Sequence, residues 1–216
     1  MHMISAKEYE NKIAELLHAF FANKMHVIKE IRVRKGLRYR SQKGYRCYSP
    51  IIDISVGPFS ERRGVSLWKE YDDLVEFSSM LINDMLQQFK VNYQNFGEGF
   101  FEIKERTIPR SYRNFLSANE DANWNARCFM AIEVENSGSK KHLLGDILNV
   151  SISGRIGILI GYNDKTFNSF LRQLEYFAYS IKAGKLKFNS KNIIVLKPDQ
   201  FESILNKNVK NIGNLR

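Results

Sequence analysis

The sequence is poor in cysteine and in long apolar runs, and each shortage excludes a class of protein. The 216 residues include only two cysteines, Cys47 and Cys128, which are too few for a disulfide scaffold or a zinc site built from cysteines. No stretch approaches ~18 uninterrupted apolar residues, so we expect no transmembrane helix. Residues 1–10 contain no apolar core of a secretory signal, so we expect a soluble cytoplasmic protein that does not contact a membrane.

The motifs of several enzyme classes are also missing. The glycines at positions 154, 157 and 161 form neither a P-loop nor the GxGxxG pattern of dinucleotide-binding folds. The four histidines are scattered without the spacing of a histidine-based metal site or a Ser-His-Asp triad. The chemistry of the chain must therefore rest on other residue types.

Positive charge is what the sequence has in excess. It holds 33 Lys and Arg against 23 Asp and Glu, a net charge of +10, and residues 32–46 contribute +7 of it with no acid. Tyr39 and Tyr45 are interleaved, and Gly36 and Gly44 favour turns, so this basic segment is expected to be a hairpin or a loop between strands. It indicates contact with nucleic acid, the alternative being a solvated loop. Its basic residues are Arg32, Arg34, Lys35, Arg38, Arg40, Lys43 and Arg46.

The hydrophobic pattern predicts one α/β domain spanning residues 1–216. Ser5 and Glu8 have the spacing of a capping box at the start of the first helix. In the second half, strands alternate with helices, which predicts parallel neighbours joined by helical crossovers. We expect helices over 5–22, 67–90, 140–152, 165–182 and 198–206, and strands over 25–34, 50–56, 100–103, 128–135, 156–161 and 192–196.

Three acids occupy unusual positions in these strands. Asp53 interrupts an apolar strand, and Glu133 and Glu135 lie two residues apart near the end of another, so they share a face. Acids in apolar strands cost free energy unless they are paired or bind a cation, and oxygen ligands favour Mg²⁺, Mn²⁺ or Ca²⁺ over zinc. The other interpretation is that the acids are solvated or pair with Lys140 and Lys141.

These residues resemble the PD-(D/E)xK nuclease superfamily. The first half of its motif would be Pro50-Ile51-Ile52-Asp53, with two residues inserted between Pro and Asp, and the second half Glu133-Val134-Glu135. Glu135 stands where the motif has lysine, as it does in a few type II restriction enzymes. The resemblance implies a restriction-endonuclease-like three-layer core, in which a central mixed β-sheet is flanked by helices and residues 60–125 form a helical insertion.

The resemblance also implies a function. It predicts a Mg²⁺-dependent endonuclease, with Mn²⁺ as a possible substitute, that hydrolyses double-stranded DNA in the manner of type II restriction enzymes and acts as a homodimer. Asp53 and Glu133 would hold the metal. Glu135 or a lysine would orient or deprotonate the attacking water, and Lys140 or Lys141 would supply positive charge near the phosphate.

Three questions stay open at the level of sequence. Glu15 is either an auxiliary acid of the site, contributed by the first helix, or an exposed helix residue. The chain is alternatively a non-catalytic DNA-binding module on a degenerate nuclease fold, with Glu135 marking the lost lysine. A third reading is a protein-interaction domain whose basic segment binds an acidic partner.

Overall fold

A computed structural model describes residues 5–25, 32–38, 51–60, 67–96, 109–185 and 190–213 of the chain. These residues form an α/β structure around one five-stranded sheet, as the sequence predicts. The strands are β1 (Val33–Arg38), β2 (Ile51–Val56), β3 (Cys128–Glu135), β4 (Gly154–Gly161) and β5 (Ile193–Leu196). The helices are α1 (Ala6–Met25), α2 (Trp68–Phe77), α3 (Ser79–Gln94), α4 (Lys140–Ser153), α5 (Asp164–Lys182) and α6 (Pro198–Gly213), with a 3-10 helix at Tyr112–Phe115.

The sheet is mixed, and its strands lie in chain order from β1 to β5. β1 and β2 pair antiparallel, as do β2 and β3, whereas β3 with β4 and β4 with β5 pair parallel. Each parallel pair is joined through a helix, α4 and α5 respectively, because a parallel neighbour requires a crossover. The predicted alternation of strands and helices in the second half is thereby confirmed.

The helices pack in two groups. α4 and α5 pack on each other and on β4, while α6 packs on both α1 and α3, and α3 also packs on β5. Glycines of β4 let the first group approach closely. A Cβ on Gly157 would lie 3.0 Å from a Val150 side-chain carbon of α4, and a Cβ on Gly161 would lie 2.4 Å from the backbone of Phe167 in α5.

The start of the chain differs in part from the prediction. The capping box of α1 is confirmed, since the Ser5 backbone N–H donates to Glu8 Oε2 at 2.7 Å and the Glu8 N–H donates to Ser5 Oγ at 3.2 Å. The strand predicted over 25–34 is wrong at Met25, which ends α1, and at Arg32, which precedes β1; residues 26–31 lie outside the described residues. Gly36 lies inside β1 with φ 59° and not in a turn.

Two predicted helices have different bounds. The helix expected over 67–90 is divided at Ser78, whose Oγ donates to the Leu74 carbonyl at 2.6 Å, a bond that bends helices. α6 continues to Gly213, beyond the expected end at 206. The short strand predicted over 100–103, the turn at Gly44 and the basic residues Arg40, Lys43 and Arg46 lie outside the described residues.

The segment between β2 and β3 belongs to the main hydrophobic core. α3 lies against α6 and β5, so the chain crosses from β2 to the far edge of the sheet before it returns to β3. The buried apolar side chains of α3 are Leu81, Ile82, Met85, Leu86, Phe89 and Tyr93. None of the helices in the described part of the chain is long and apolar enough to cross a bilayer.

A buried arginine connects the segment between β2 and β3 to the sheet by hydrogen bonds. Arg155 of β4 is fully buried, and its guanidinium donates to the Phe115 carbonyl at 2.5 Å, the Asn123 carbonyl at 3.0 Å, Ser117 Oγ at 2.8 Å and Asp72 Oδ1 at 3.0 Å. Four partners from α2 and the segment before β3 thus meet on one side chain of β4. A planar guanidinium satisfies such a set because its five N–H groups have fixed directions.

We predict that Arg155→Ala lowers the free energy of unfolding by about 3–5 kcal/mol, because it leaves the Asp72 carboxylate without its charged partner and removes four hydrogen bonds. Urea denaturation of the purified protein measures the change. Arg172→Ala, at an exposed position of α5, is the control and should change stability by less than about 0.5 kcal/mol. Equal effects of the two substitutions on stability would contradict this role of Arg155.

Candidate functional site

Two of the predicted site residues, Asp53 and Glu133, are brought together by the pairing of β2 with β3. Ile54 pairs with Ile132, so the next position places Asp53 opposite Glu133. At this position each carboxylate accepts a hydrogen bond from the backbone of the neighbouring strand. The Val134 N–H donates to Asp53 Oδ2 at 2.9 Å, and the Asp53 N–H donates to Glu133 Oε2 at 3.3 Å. Both carboxylates are therefore oriented by backbone donors.

Glu133 is the more deeply buried member of this pair, with 4% of its surface exposed. Burial, and after it the charge of Asp53, raises the pKa of Glu133 to about 10, against an opposing hydrogen bond from Asn149. Without a cation the two carboxyl groups would therefore retain a proton at neutral pH. A divalent ion relieves the same repulsion.

α4 places three polar side chains along β3. Asn149 Nδ2 donates to Glu133 Oε1 at 3.0 Å, and His142 Nδ1 lies 3.8 Å from Glu135 Oε2. Burial and the charges of Glu135 and Asp53 raise the pKa of Asp146 to about 8. The buried Oδ2 atom of Asp146 accepts no hydrogen bond from the described residues. Asp53, Glu133, Glu135 and Asp146 form what we call the acidic cluster.

Glu135 is the outer acid of β3. Its Oε1 accepts a hydrogen bond from the Ser137 N–H at 2.5 Å, and its side chain is 14% exposed, compared with 63% for His142. The turn that follows contains Gly138 with φ 64°, a left-handed conformation that favours glycine. This turn brings the chain directly from β3 into α4, so both elements contribute to one cluster.

Other predicted residues are not brought to the acids in the same way. Lys140 and Lys141 are exposed in the first turn of α4, and no ion pair joins either of them to an acid in the described part of the chain. Glu15 is exposed in the middle of α1. α1 contributes a different pair, since Lys7 Nζ lies 2.5 Å from Oε2 of the buried Glu10. Glu10, and to a smaller extent Asp53, raises the pKa of Lys7.

The basic segment runs past the acidic cluster along β1. The register places Gly36 opposite Asp53, and a Cβ on Gly36 would meet nothing within 4 Å. Lys35 Nζ donates to Asn11 Oδ1 of α1, and the Arg34 guanidinium lies 4.5 Å from the centroid of the Phe59 ring. Arg32 is exposed just before β1, and Arg38 is its last residue. Basic residues therefore lie on the strand next to Asp53, and the space at Gly36 opposite Asp53 is open.

The ligand set of the cluster consists of oxygen atoms. In the ranges that the structure describes, no three Asp, Glu, His or Cys side chains are grouped so that one ion could bind all of them. Mg²⁺ does not require such a cage, because it keeps several waters and binds through one or two carboxylates plus substrate phosphates. Asp53 and Glu133 fit that kind of site.

Sequence reasoning missed the contributions of Asp146, Asn149, Lys7 and Glu10. A signal for the first two was present, because residues 142, 146 and 149 have the i, i+4, i+7 spacing of one helical face and are all polar. A polar face on a helix between two buried strands indicates a site. No comparable signal distinguished Glu10 from Glu15.

Comparison with known proteins gives no relative, since no protein-family model, no curated protein and no solved structure matches the chain. A functional assignment must therefore be argued from the geometry of the acidic cluster and its surroundings.

We predict that Glu133→Gln stabilises the metal-free protein, and more so as pH rises. The folded state holds a proton on Glu133 that the unfolded chain releases above about pH 4.5, so the stability of the unaltered protein falls as pH rises from there toward 10. Glutamine does not titrate. Urea denaturation in EDTA at pH 5 and pH 8 should show the gain increasing by more than about 1 kcal/mol.

The control is Glu120→Gln, at an exposed position of the segment before β3, for which the difference between the two pH values should be absent. A gain for Glu133→Gln that is equal at both pH values would show that this carboxyl is not held in the neutral form.

Proposed function

We propose that the protein is a Mg²⁺-dependent endonuclease of double-stranded DNA with a restriction-endonuclease-like core. The observation that carries the proposal is the meeting of Asp53 and Glu133 on neighbouring strands, 80 residues apart in sequence. A buried carboxylate beside a half-buried one, both with free acceptor capacity, is costly for a fold alone and useful for holding a divalent cation.

The order of elements supports the same proposal. A helix, α1, is followed by three antiparallel strands, β1 to β3, and then by α4 and the parallel strand β4. This order agrees with the one that the resemblance to PD-(D/E)xK nucleases implies, with the acids on β2 and β3. Under this proposal α2 and α3 are an elaboration of that core which contributes to its packing.

Asp53 and Glu133 would hold the metal. A bound Mg²⁺ supplies polarisation of the scissile phosphate and a lowered pKa for its bound water. Around it, Val134 N–H and Asn149 Nδ2 fix the directions of the two carboxylates. Glu135, which the Ser137 N–H holds in place, would orient or deprotonate the attacking water.

Positive charge near the phosphate must come from outside the motif, because Glu135 replaces its lysine. Lys140 remains our candidate from sequence, and Lys7 is a second one because Asp53 contributes to its raised pKa. On α1, Glu10 is buried and pairs with Lys7 whereas Glu15 is exposed, so Glu10 replaces Glu15 as our candidate for an auxiliary acid.

The basic segment would bind the DNA backbone. Arg34 and Lys35 immediately precede Gly36 on β1, and Gly36 lies opposite Asp53, so a phosphate strand bound along β1 would pass next to Asp53. Cutting both strands of a duplex calls for two such sites, and we therefore propose that the active form is a homodimer.

We expect the purified protein to cleave long unmodified duplex DNA in Mg²⁺ or Mn²⁺ and not in EDTA. Asp53→Asn and Glu133→Gln should each lower the cleavage rate by at least about 100-fold, since even the outer partners of metal ligands account for about 10- to 100-fold. Gel analysis of time courses provides the measurement. Asp84→Asn, which alters an aspartate paired with Lys207 between α3 and α6, should cleave at the unaltered rate.

Cleavage by Asp53→Asn at the unaltered rate would refute the site. Binding of duplex without any cleavage in either metal would favour the alternative function, a DNA-binding module in which Glu135 marks the loss of catalysis.

A second prediction concerns binding. The double variant Arg34→Ala/Lys35→Ala should weaken duplex binding and reduce the slope of log K against log salt by about 2, because each lost phosphate contact releases about 0.9 fewer counterions. Fluorescence anisotropy in Ca²⁺ between 50 and 200 mM salt measures the slope. Lys207→Ala/Lys210→Ala on α6 is the matched control. An unchanged slope in the β1 variant would exclude these contacts.

A further inference from the structure

α4 buries the apolar side chains of Leu143, Ile147 and Val150, but it also buries an amide and exposes apolar side chains. Three apolar side chains four residues apart, Leu144, Leu148 and Ile152, are 36–58% exposed. Asn149, in contrast, is 8% exposed and lies against β3. Burying an amide in place of an apolar group is unfavourable unless the amide has a partner, so the position of Asn149 follows from what it contacts.

That contact is one oxygen of Glu133. Oε1 accepts from Asn149 Nδ2 at 3.0 Å, and Oε2 accepts from the Asp53 N–H at 3.3 Å. With one donor on each oxygen, the plane of the carboxylate is fixed, and each oxygen keeps acceptor capacity for a further ligand. The neutral amide of Asn149 orients the carboxylate without competing with a cation for it. A lysine or arginine at this position would compete.

The closeness of α4 to the sheet makes this contact possible. Val150, the residue after Asn149, lies so near Gly157 that a Cβ there would be 3.0 Å from its side chain. This close approach lets a side chain as short as asparagine reach Glu133 on β3.

We propose that Asn149 is a positioning residue that orients Glu133 for binding a divalent cation, an inference that rests on the proposed function. Asn149 acts through Glu133 Oε1 and does not touch the metal or the substrate. Its contribution therefore belongs to metal affinity and is separable from its contribution to stability.

The test is Mn²⁺ binding by the full-length protein, measured by isothermal titration calorimetry, with thermal unfolding followed in parallel. Asn149→Leu removes the donor at nearly constant volume and should weaken Mn²⁺ binding about 10- to 100-fold. Asn208→Leu is the matched control, because Asn208 is also buried on a helix and donates to a carboxylate, Asp84 Oδ2, at 2.9 Å. It should lose comparable thermal stability and bind Mn²⁺ as the unaltered protein does.

Asn149→Ala is measured beside Asn149→Leu, so that a folding defect caused by the bulkier side chain leaves a second variant to decide the question. Unaltered Mn²⁺ affinity in a folded Asn149 variant, with affinity lost in Glu133→Gln, would overturn the inference and leave the proposed function standing. An equal loss of affinity in Asn208→Leu would overturn it as well. Absence of Mn²⁺ binding by the unaltered protein would overturn both the inference and the proposed metal site.

Discussion

Repulsion between two carboxylates governs the arrangement of this end of the sheet. The register of β2 and β3 sets Asp53 opposite Glu133, and burial of Glu133 prevents water from screening the pair. Each surrounding element contributes a hydrogen-bond donor that stabilises one of the two carboxylates. β3 offers the Val134 N–H to Asp53, β2 offers the Asp53 N–H to Glu133, and α4 offers the amide of Asn149. Neutral donors reduce the cost of the pair without neutralising it, so the pair retains a proton or, under the proposed function, binds a cation.

Acidic and basic residues lie in two separate zones around the pair formed by Asp53 and Glu133. The acidic cluster is compact and formed by β2, β3 and α4, whereas the basic residues lie on the neighbouring strand β1 and on α1, within the described part of the chain. Under the proposed function, the outer charge would attract a phosphate backbone and the inner charge a metal. The separation matters because lysines in direct contact with the carboxylates would compete for the place of the cation.

Regular elements with simple periodicity were predictable from the sequence, and contacts between elements were not. β2, β3, β4 and β5 begin and end within two residues of the expected bounds, because β-branched runs leave little choice. The turn predicted at Gly36 was wrong, because a glycine inside a strand cannot be distinguished from a turn glycine by sequence alone. The meeting of Asp53 with Glu133 was expected only from the resemblance to the nuclease motif, and Asn149 and Asp146 depend on how closely α4 lies on the sheet. That distance is set by Gly157, whose role no local pattern reveals.

The separation of Asp53 and Glu133 along the chain has a consequence for the order of folding. Closing a flexible loop of 80 residues costs about 4 kcal/mol of chain entropy, so the pairing of β2 with β3 is a late, non-local event. α2 and α3 shorten the effective loop once they have formed and docked, and the four hydrogen bonds of Arg155 hold that excursion to β4. Because Ile52 and Ile54 of β2 and Ile132 of β3 belong to the hydrophobic core, the pairing that brings the acids together also buries apolar surface, which offsets their mutual repulsion.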